Sequence, residues 1–176
     1  MKFSTFKAKI ITKKIERLLN GKSQNSSLHV QKNIKTVGII VNEGSTFDFE
    51  MLKKLQKQIA SGSKNFSVLT YKNTTESYNE FRGAFVSEKD FSWNGNLQSK
   101  EVKDFLLKPF DMLIDYTKPS TVLSKYLIAK SKAKFKVGFA NEDKRLYDFM
   151  ISVDEDLSLF NNELIKYLNI LDKIKK

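Results

Sequence analysis

The chain has 176 residues, 40% of them apolar and 12% aromatic, with only two prolines. That composition buries roughly two thirds of the unfolded surface in one domain and excludes wholesale disorder. With no cysteine and a single histidine, His29, disulfides, thiol nucleophiles and metal sites built on thiolates or paired imidazoles are excluded, while a net charge of +11 directs attention to acidic partners.

In chain order, Ala8, Ile11, Ile15, Leu18 and Leu19 recur at helical spacing among Lys7, Lys9, Lys13, Lys14 and Arg17, which predicts a basic amphipathic helix over 5–19. Gly21 supplies a C-cap, and the serine- and asparagine-containing stretch 22–31 has linker composition. Residues 1–34 therefore read as a tethered helix and linker, ahead of a single α/β domain over 35–176. The alternative is a helix packed on the core with its lysines in water. The acid-poor start also resembles an organellar presequence, although those favour arginine.

At Thr36–Val41 the pattern changes to a β-branched apolar run, predicting a strand buried on both faces of a parallel sheet. The loop 42–46 ends on Thr46, a capping candidate, and Phe47, Met51, Leu52, Leu55 and Ile59 give a helical stripe to about Ser61. Phe66–Tyr71 completes a βαβ unit. Further strands are predicted at 84–87, 110–116, 135–139 and 148–153. Helices are predicted at 99–107, 120–131 and 157–174, the last with Leu159, Phe160, Leu164, Ile165, Tyr167, Leu168 and Leu171 as its apolar set. Trp93-Asn94-Gly95 is a turn signal. This alternation predicts an α/β three-layer sandwich with a mostly parallel, Rossmann-like sheet.

The charge is concentrated at the ends. Residues 1–36 hold nine basic groups (Lys2, Lys7, Lys9, Lys13, Lys14, Arg17, Lys22, Lys32 and Lys35) against Glu16 alone. Lys173, Lys175 and Lys176 close the chain, whereas residues 37–172 balance 19 basic with 19 acidic groups. Basic ends on a neutral body predict a negatively charged partner at those ends. Only Arg17, Arg82 and Arg145 are arginine. Lysine lacks the planar fork that reads base edges, so contacts to a nucleic-acid backbone are expected rather than sequence readout. No apolar run reaches the ~20 residues of a membrane-spanning helix, and the N-terminus lacks a secretory apolar core; a cytoplasmic location is expected.

Open α/β sheets bind ligands beyond the carboxyl ends of their strands, which singles out the loop 43–48. Gly44, Ser45 and Thr46 would direct backbone amides at a phosphate, although an ordinary helix cap explains the same residues. Neither a glycine-rich dinucleotide loop nor a Walker loop is present. Asp111 and Asp115 share one face of their strand, as paired carboxylates for acid–base work or magnesium would. Their positions at its start and end read instead as caps or solvent-facing groups. Asp154, Glu155 and Asp156 precede the last helix, where acids meet the positive end of its dipole. His29 sits in the linker without companion ligands. Phe3, Phe6, Phe91 and Trp93 are either core or stacking platforms for nucleobases. No serine occupies a glycine-flanked elbow. No catalytic residue, metal ligand or cofactor is expected.

The strand Phe110-Asp111-Met112-Leu113-Ile114-Asp115-Tyr116, the serine-led helix after it and Ala133-Lys134-Phe135-Lys136-Val137-Gly138-Phe139 resemble part of the N-terminal half of heptosyltransferase-type glycosyltransferases. There a D-hydrophobic-hydrophobic-I-D strand leads through a small-residue helix to a K-x-x-x-G-F strand. The match spans about 30 residues of the 176. The resemblance implies a catalytic acid in a Gly-Asp loop after the first strand, but here residues 42–46 intervene and Asp48 falls in the predicted helix. It also implies a second domain for the nucleotide-sugar, with no counterpart expected here. The chain from residue 36 further resembles a small uncharacterised family of Bacteroidetes proteins.

The leading expectation is a non-catalytic module docking on structured RNA or the ribosome through Lys7, Lys9, Lys13, Lys14 and Arg17 together with Lys173, Lys175 and Lys176. A second reading is a nucleotide-sugar or phosphate-ligand protein using Gly44, Ser45 and Thr46. A third lays the basic helix on an anionic membrane surface.

Overall fold

In the computed structural model, which describes residues 5–21, 34–59, 66–72, 83–154 and 156–172, the β-branched run after Thr36 forms β1 (Val37–Asn42), its first five residues buried. It is joined by β2 (Phe66–Tyr71), β3 (Ala84–Val86), β4 (Met112–Asp115), β5 (Lys136–Phe139) and β6 (Phe149–Ile151). The six strands form one sheet in the order β3-β2-β1-β4-β5-β6, and every neighbouring pair is parallel. Val37 lies opposite Phe66 on one side and Met112 on the other, so the order reverses between β1 and β4. The crevice beyond the carboxyl ends of those two strands is the topological switch point.

Helices close both faces. On one side α2 (Phe49–Ile59) and α5 (Leu157–Ile170) bring Leu52, Leu55, Leu164 and Leu168 onto Ile39, Val41 and Ile114. On the other, α3 (Lys100–Leu107) and α4 (Val122–Lys130) bring Phe105 and Leu127 onto Ile40, Leu69 and Leu113. Period-two alternation sends Ile39 and Ile40 to opposite layers. The expected three-layer α/β architecture is therefore present, with a wholly parallel sheet.

The N-terminal helix α1 (Thr5–Asn20) corrects the expectation of a tether. Ile11, Ile15 and Leu19 are buried in the same cluster as α4 residues Leu127 and Ile128. The cause lies in α4. Leu123, Ser124, Tyr126, Leu127, Ile128 and Ala129 are all buried, and a helix buried around most of its circumference needs a partner on the side away from the sheet. Burying each α1 isoleucine or leucine contributes about 1.5–3 kcal/mol relative to exposure. The linker that follows lies in 22–33, outside the described residues.

Three local expectations change. Thr46 is exposed, and Asp48 caps α2 by accepting the Met51 N–H at 2.7 Å. A carboxylate is the stronger acceptor beside the positive end of a helix. α4 starts at Val122, behind a capping box in which Thr121 Oγ1 accepts the Ser124 N–H (3.1 Å) and Ser124 Oγ accepts the Thr121 N–H (2.8 Å). In α5 the buried stripe is Leu157, Phe160, Leu164 and Leu168, whereas Leu159, Tyr167 and Leu171 are exposed.

Candidate nucleic-acid interface and interhelical groove

Because one stripe of α1 is committed to α4, its cations sort by position. Lys9, Lys13 and Arg17, spaced at i, i+4 and i+8, are exposed and run about 12 Å along the helix at 1.5 Å per residue. Lys7 and Lys14 flank the buried stripe and reach sideways. Lys7 Nζ donates to the carbonyls of Glu88 (3.0 Å) and Phe91, and Lys14 Nζ donates to Asn96 Oδ1. Burial holds the Lys14 ammonium below its ordinary pKa, and the charges of Lys130 and Arg17 push it the same way. Lys130, at the end of α4, thus joins the α1 cations in space from a distant part of the sequence.

The acids near α1 are occupied elsewhere. Glu16 receives a bidentate fork from Arg145, at 2.8 and 2.9 Å, and Arg145 also pairs with Asp143 at 2.7 Å. The hydrogen bond from Arg145 holds both carboxyls below their usual range. Among the described residues no carboxylate forms an ion pair with Lys9, Lys13, Lys14 or Arg17. Lys173, Lys175 and Lys176 lie outside the described residues, and the helix leading to them packs on the opposite face of the sheet.

The aromatic candidates separate as well. Phe91 is buried edge-on against Tyr126, with ring centroids 5.6 Å apart. Phe6 is 64% exposed and Trp93 78% exposed. Phe3 and His29 are outside the described residues.

On the outer side of one helical layer a groove of about 350 Å³ opens between α2 and α5, lined in part by Asp48, Met51, Lys54, Gln58, Ser158 and Asn161. Beneath it Phe47 stacks on Tyr116 at 4.9 Å, Phe160 meets Tyr116 edge-on at 5.3 Å, and the Tyr116 hydroxyl donates to Asn161 Oδ1. Burial raises the Tyr116 pKa far above its ordinary value, so this hydroxyl remains a donor. Of the loop singled out in the sequence, Asp48 lines the groove, while Gly44, Ser45 and Thr46 do not. Gly44 is there for its φ of +70°, since a Cβ would meet nothing within 4 Å. Ser45 Oγ accepts the Phe47 N–H at 3.3 Å within the turn. Asn42 Nδ2 ties β1 to the Lys118 carbonyl at 3.0 Å, leaving Asn42 Oδ1 and its neighbour Glu43 Oε1 buried without a hydrogen-bond partner.

The two strand aspartates are both buried, which corrects the solvent-facing expectation, and they do different work. Asp111 Oδ2 accepts the Lys35 and Thr36 N–H groups, each at 3.0 Å, and Lys134 pairs with Oδ1 at 2.8 Å. Burial pushes its carboxyl upward, but Lys134 and these donors outweigh that and hold the pKa low. Asp115 accepts from the Thr117 N–H (2.8 Å), the Thr117 hydroxyl (2.6 Å) and the Tyr147 hydroxyl (2.6 Å). Burial nevertheless pushes its carboxyl up to about 6. The two therefore pin different segments and form no shared carboxylate site. Asp156 caps α5 through the Ser158 and Leu159 N–H groups, at 2.8 and 3.0 Å, as its position predicts.

The reversing strand order, with helices on both faces, defines a doubly wound α/β protein of Rossmann type. Residues 7–171 match the family model DUF6913, a family of unknown function, and the chain belongs to that family. No curated protein and no solved structure matches it.

Proposed function

We propose that this chain is a non-catalytic module that docks on structured RNA, with the ribosome or an assembling subunit as the partner, through the outer face of α1. The observation that carries the reading is the exposed row Lys9, Lys13 and Arg17 on a helix fixed against α4, none of the three ion-paired to a carboxylate among the described residues. Repelling cations without carboxylate partners are relieved by an incoming polyanion, and each phosphate they neutralise releases condensed counterions. The reading rests on the α1 face alone. In gradient fractionation of a cell lysate, the protein travels with ribosomal particles at low salt and leaves them at high salt. A variant carrying Lys9→Gln, Lys13→Gln and Arg17→Gln stays at the top of the gradient. Co-migration that persists in this variant would sink the proposal.

A second reading is favoured by the groove between α2 and α5, where Lys54 and Lys57 stand beside the polar Gln58, Ser158 and Asn161. The resemblance of the run 110–139 to heptosyltransferase-type glycosyltransferases suggests nucleotide-sugars as the panel to test. A thermal shift with one of them, lost in the double variant Lys54→Ala and Gln58→Ala, would favour this reading. Silence across the panel would remove it.

A further inference from the structure

Trp93 sits in water on a turn that is held firmly at its base. Phe91 and Leu97 form an antiparallel bridge and are both buried. Inside it the Ser92 N–H donates to the Asn96 carbonyl and the Gly95 N–H to the Ser92 carbonyl, each at 2.9 Å. Ser92 Oγ in turn accepts the Asn96 N–H at 3.1 Å. Lys7 and Lys14 of α1 clamp the turn from both sides through Phe91 and Asn96. Gly95, at φ +68°, lies so close that a Cβ would stand 2.8 Å from Ile11 Cγ1. The turn therefore rides on α1, yet its tryptophan ring is 78% exposed. A large aromatic left in solvent on a pre-organised support is the pattern of a contact anchor, because little ordering entropy remains to be lost on binding.

From this we infer that Trp93 is a stacking platform for an unpaired nucleotide, so that the α1 surface takes RNA at a loop, bulge or single-stranded segment. The inference rests on the RNA reading above and narrows it. Two features select this occupant. The turn is tied through Asn96 to Lys14 of α1, and the exposed Lys9, Lys13 and Arg17 of the same helix favour an anionic partner. Stacking a base on an aromatic ring beside a lysine-lined backbone track is how single strands are held without sequence preference. Anionic lipid would offer charge as well, but an interfacial helix must present an apolar stripe to the bilayer. Here Ile11, Ile15 and Leu19 are buried against α4.

Trp93 is the only tryptophan, so fluorescence excited at the red edge, where the tyrosines do not absorb, reports on this ring alone. Oligouridylate of about twelve nucleotides is titrated alongside a blunt RNA duplex of equal charge and vesicles containing anionic lipid. Stacking predicts quenching by oligouridylate, a loss of affinity of roughly fivefold to hundredfold in Trp93→Ala, and retention of much of it in Trp93→Phe. Duplex affinity is unchanged in Trp93→Ala, and the salt slope is preserved. Oligouridylate binding with neither quenching nor sensitivity to Trp93→Ala overturns the stacking role. If that binding still falls when Lys9, Lys13 and Arg17 are neutralised, the broader RNA reading survives. Failure of both nucleic acids to bind overturns both proposals, and a response to vesicles alone overturns them in favour of lipid.

Discussion

The two faces of the sheet are closed in different ways. On one, α2 and α5 each bury a single stripe and the layer ends there. On the other, α4 is buried around most of its circumference, and α1 covers it. The difference gives the N-terminal charge a scaffold: the burial demand of α4 fixes α1, and α1 then holds Lys9, Lys13 and Arg17 outward beside Lys130. The C-terminal lysines lie outside the described residues, after a helix on the opposite layer. Deleting residues 1–34 would strip α4 of its cover, so substitution of charges, with the fold left intact, is the clean way to test the surface.

The contrast can be broken or sharpened. The largest effect is expected from Ile11→Ala, which should cost about 2–5 kcal/mol in denaturant unfolding, as Leu164→Ala does on the other face. A midpoint unmoved by Ile11→Ala would mean that α1 contributes nothing to the core. Next comes Asp115. Its folded pKa of about 6 lies above the ordinary 3.8, so its protonated form contributes stability that is full below 3.8 and lost as the pH rises through about 6. Between those values the wild type should lose on the order of 3 kcal/mol relative to Asp115→Asn. A stability difference that stays flat with pH would contradict the burial of this carboxyl.

Smaller still, Gly95→Ala should destabilise by about 1–2 kcal/mol, since an L side chain is disfavoured at positive φ and Ile11 crowds the site. It should also weaken any response of Trp93 fluorescence to oligouridylate, and an unaltered response would argue against a pre-organised turn. The smallest effect is expected from Arg145→Ala. Its fork to Glu16 lies at the surface, with both side chains nearly half accessible, and surface pairs contribute little. The midpoint should barely move, and a large fall would assign α1 an electrostatic rather than apolar anchor.

Much of the fold was legible in the sequence because β1 and α2 obey single, strong periods: Val37–Val41 runs apolar without interruption, and Leu52, Leu55 and Ile59 mark one stripe. The packing of α1 was also written there, in Val122–Ala129, a helix with scarcely a polar face, but the signal speaks of a missing partner without naming it. Linker composition at 22–31 pointed toward a tether instead. The site was less legible. Lys9, Lys13 and Arg17 were found from charge, whereas Lys130 joins them only through tertiary packing. Asn161 enters the groove floor because Tyr116, 45 positions away, donates to it. Phe91 and Trp93 are two residues apart and alike in sequence, yet one is buried and the other exposed, which the geometry of the turn decides.

The most direct test of the central claim is the salt dependence of RNA affinity, measured for the wild type and for the folded variant carrying Lys9→Gln, Lys13→Gln and Arg17→Gln. If these cations meet phosphates, the slope of log affinity against log salt should shrink by about one unit per charge removed, with affinity lower at every salt concentration. An identical slope and an identical affinity would contradict the account.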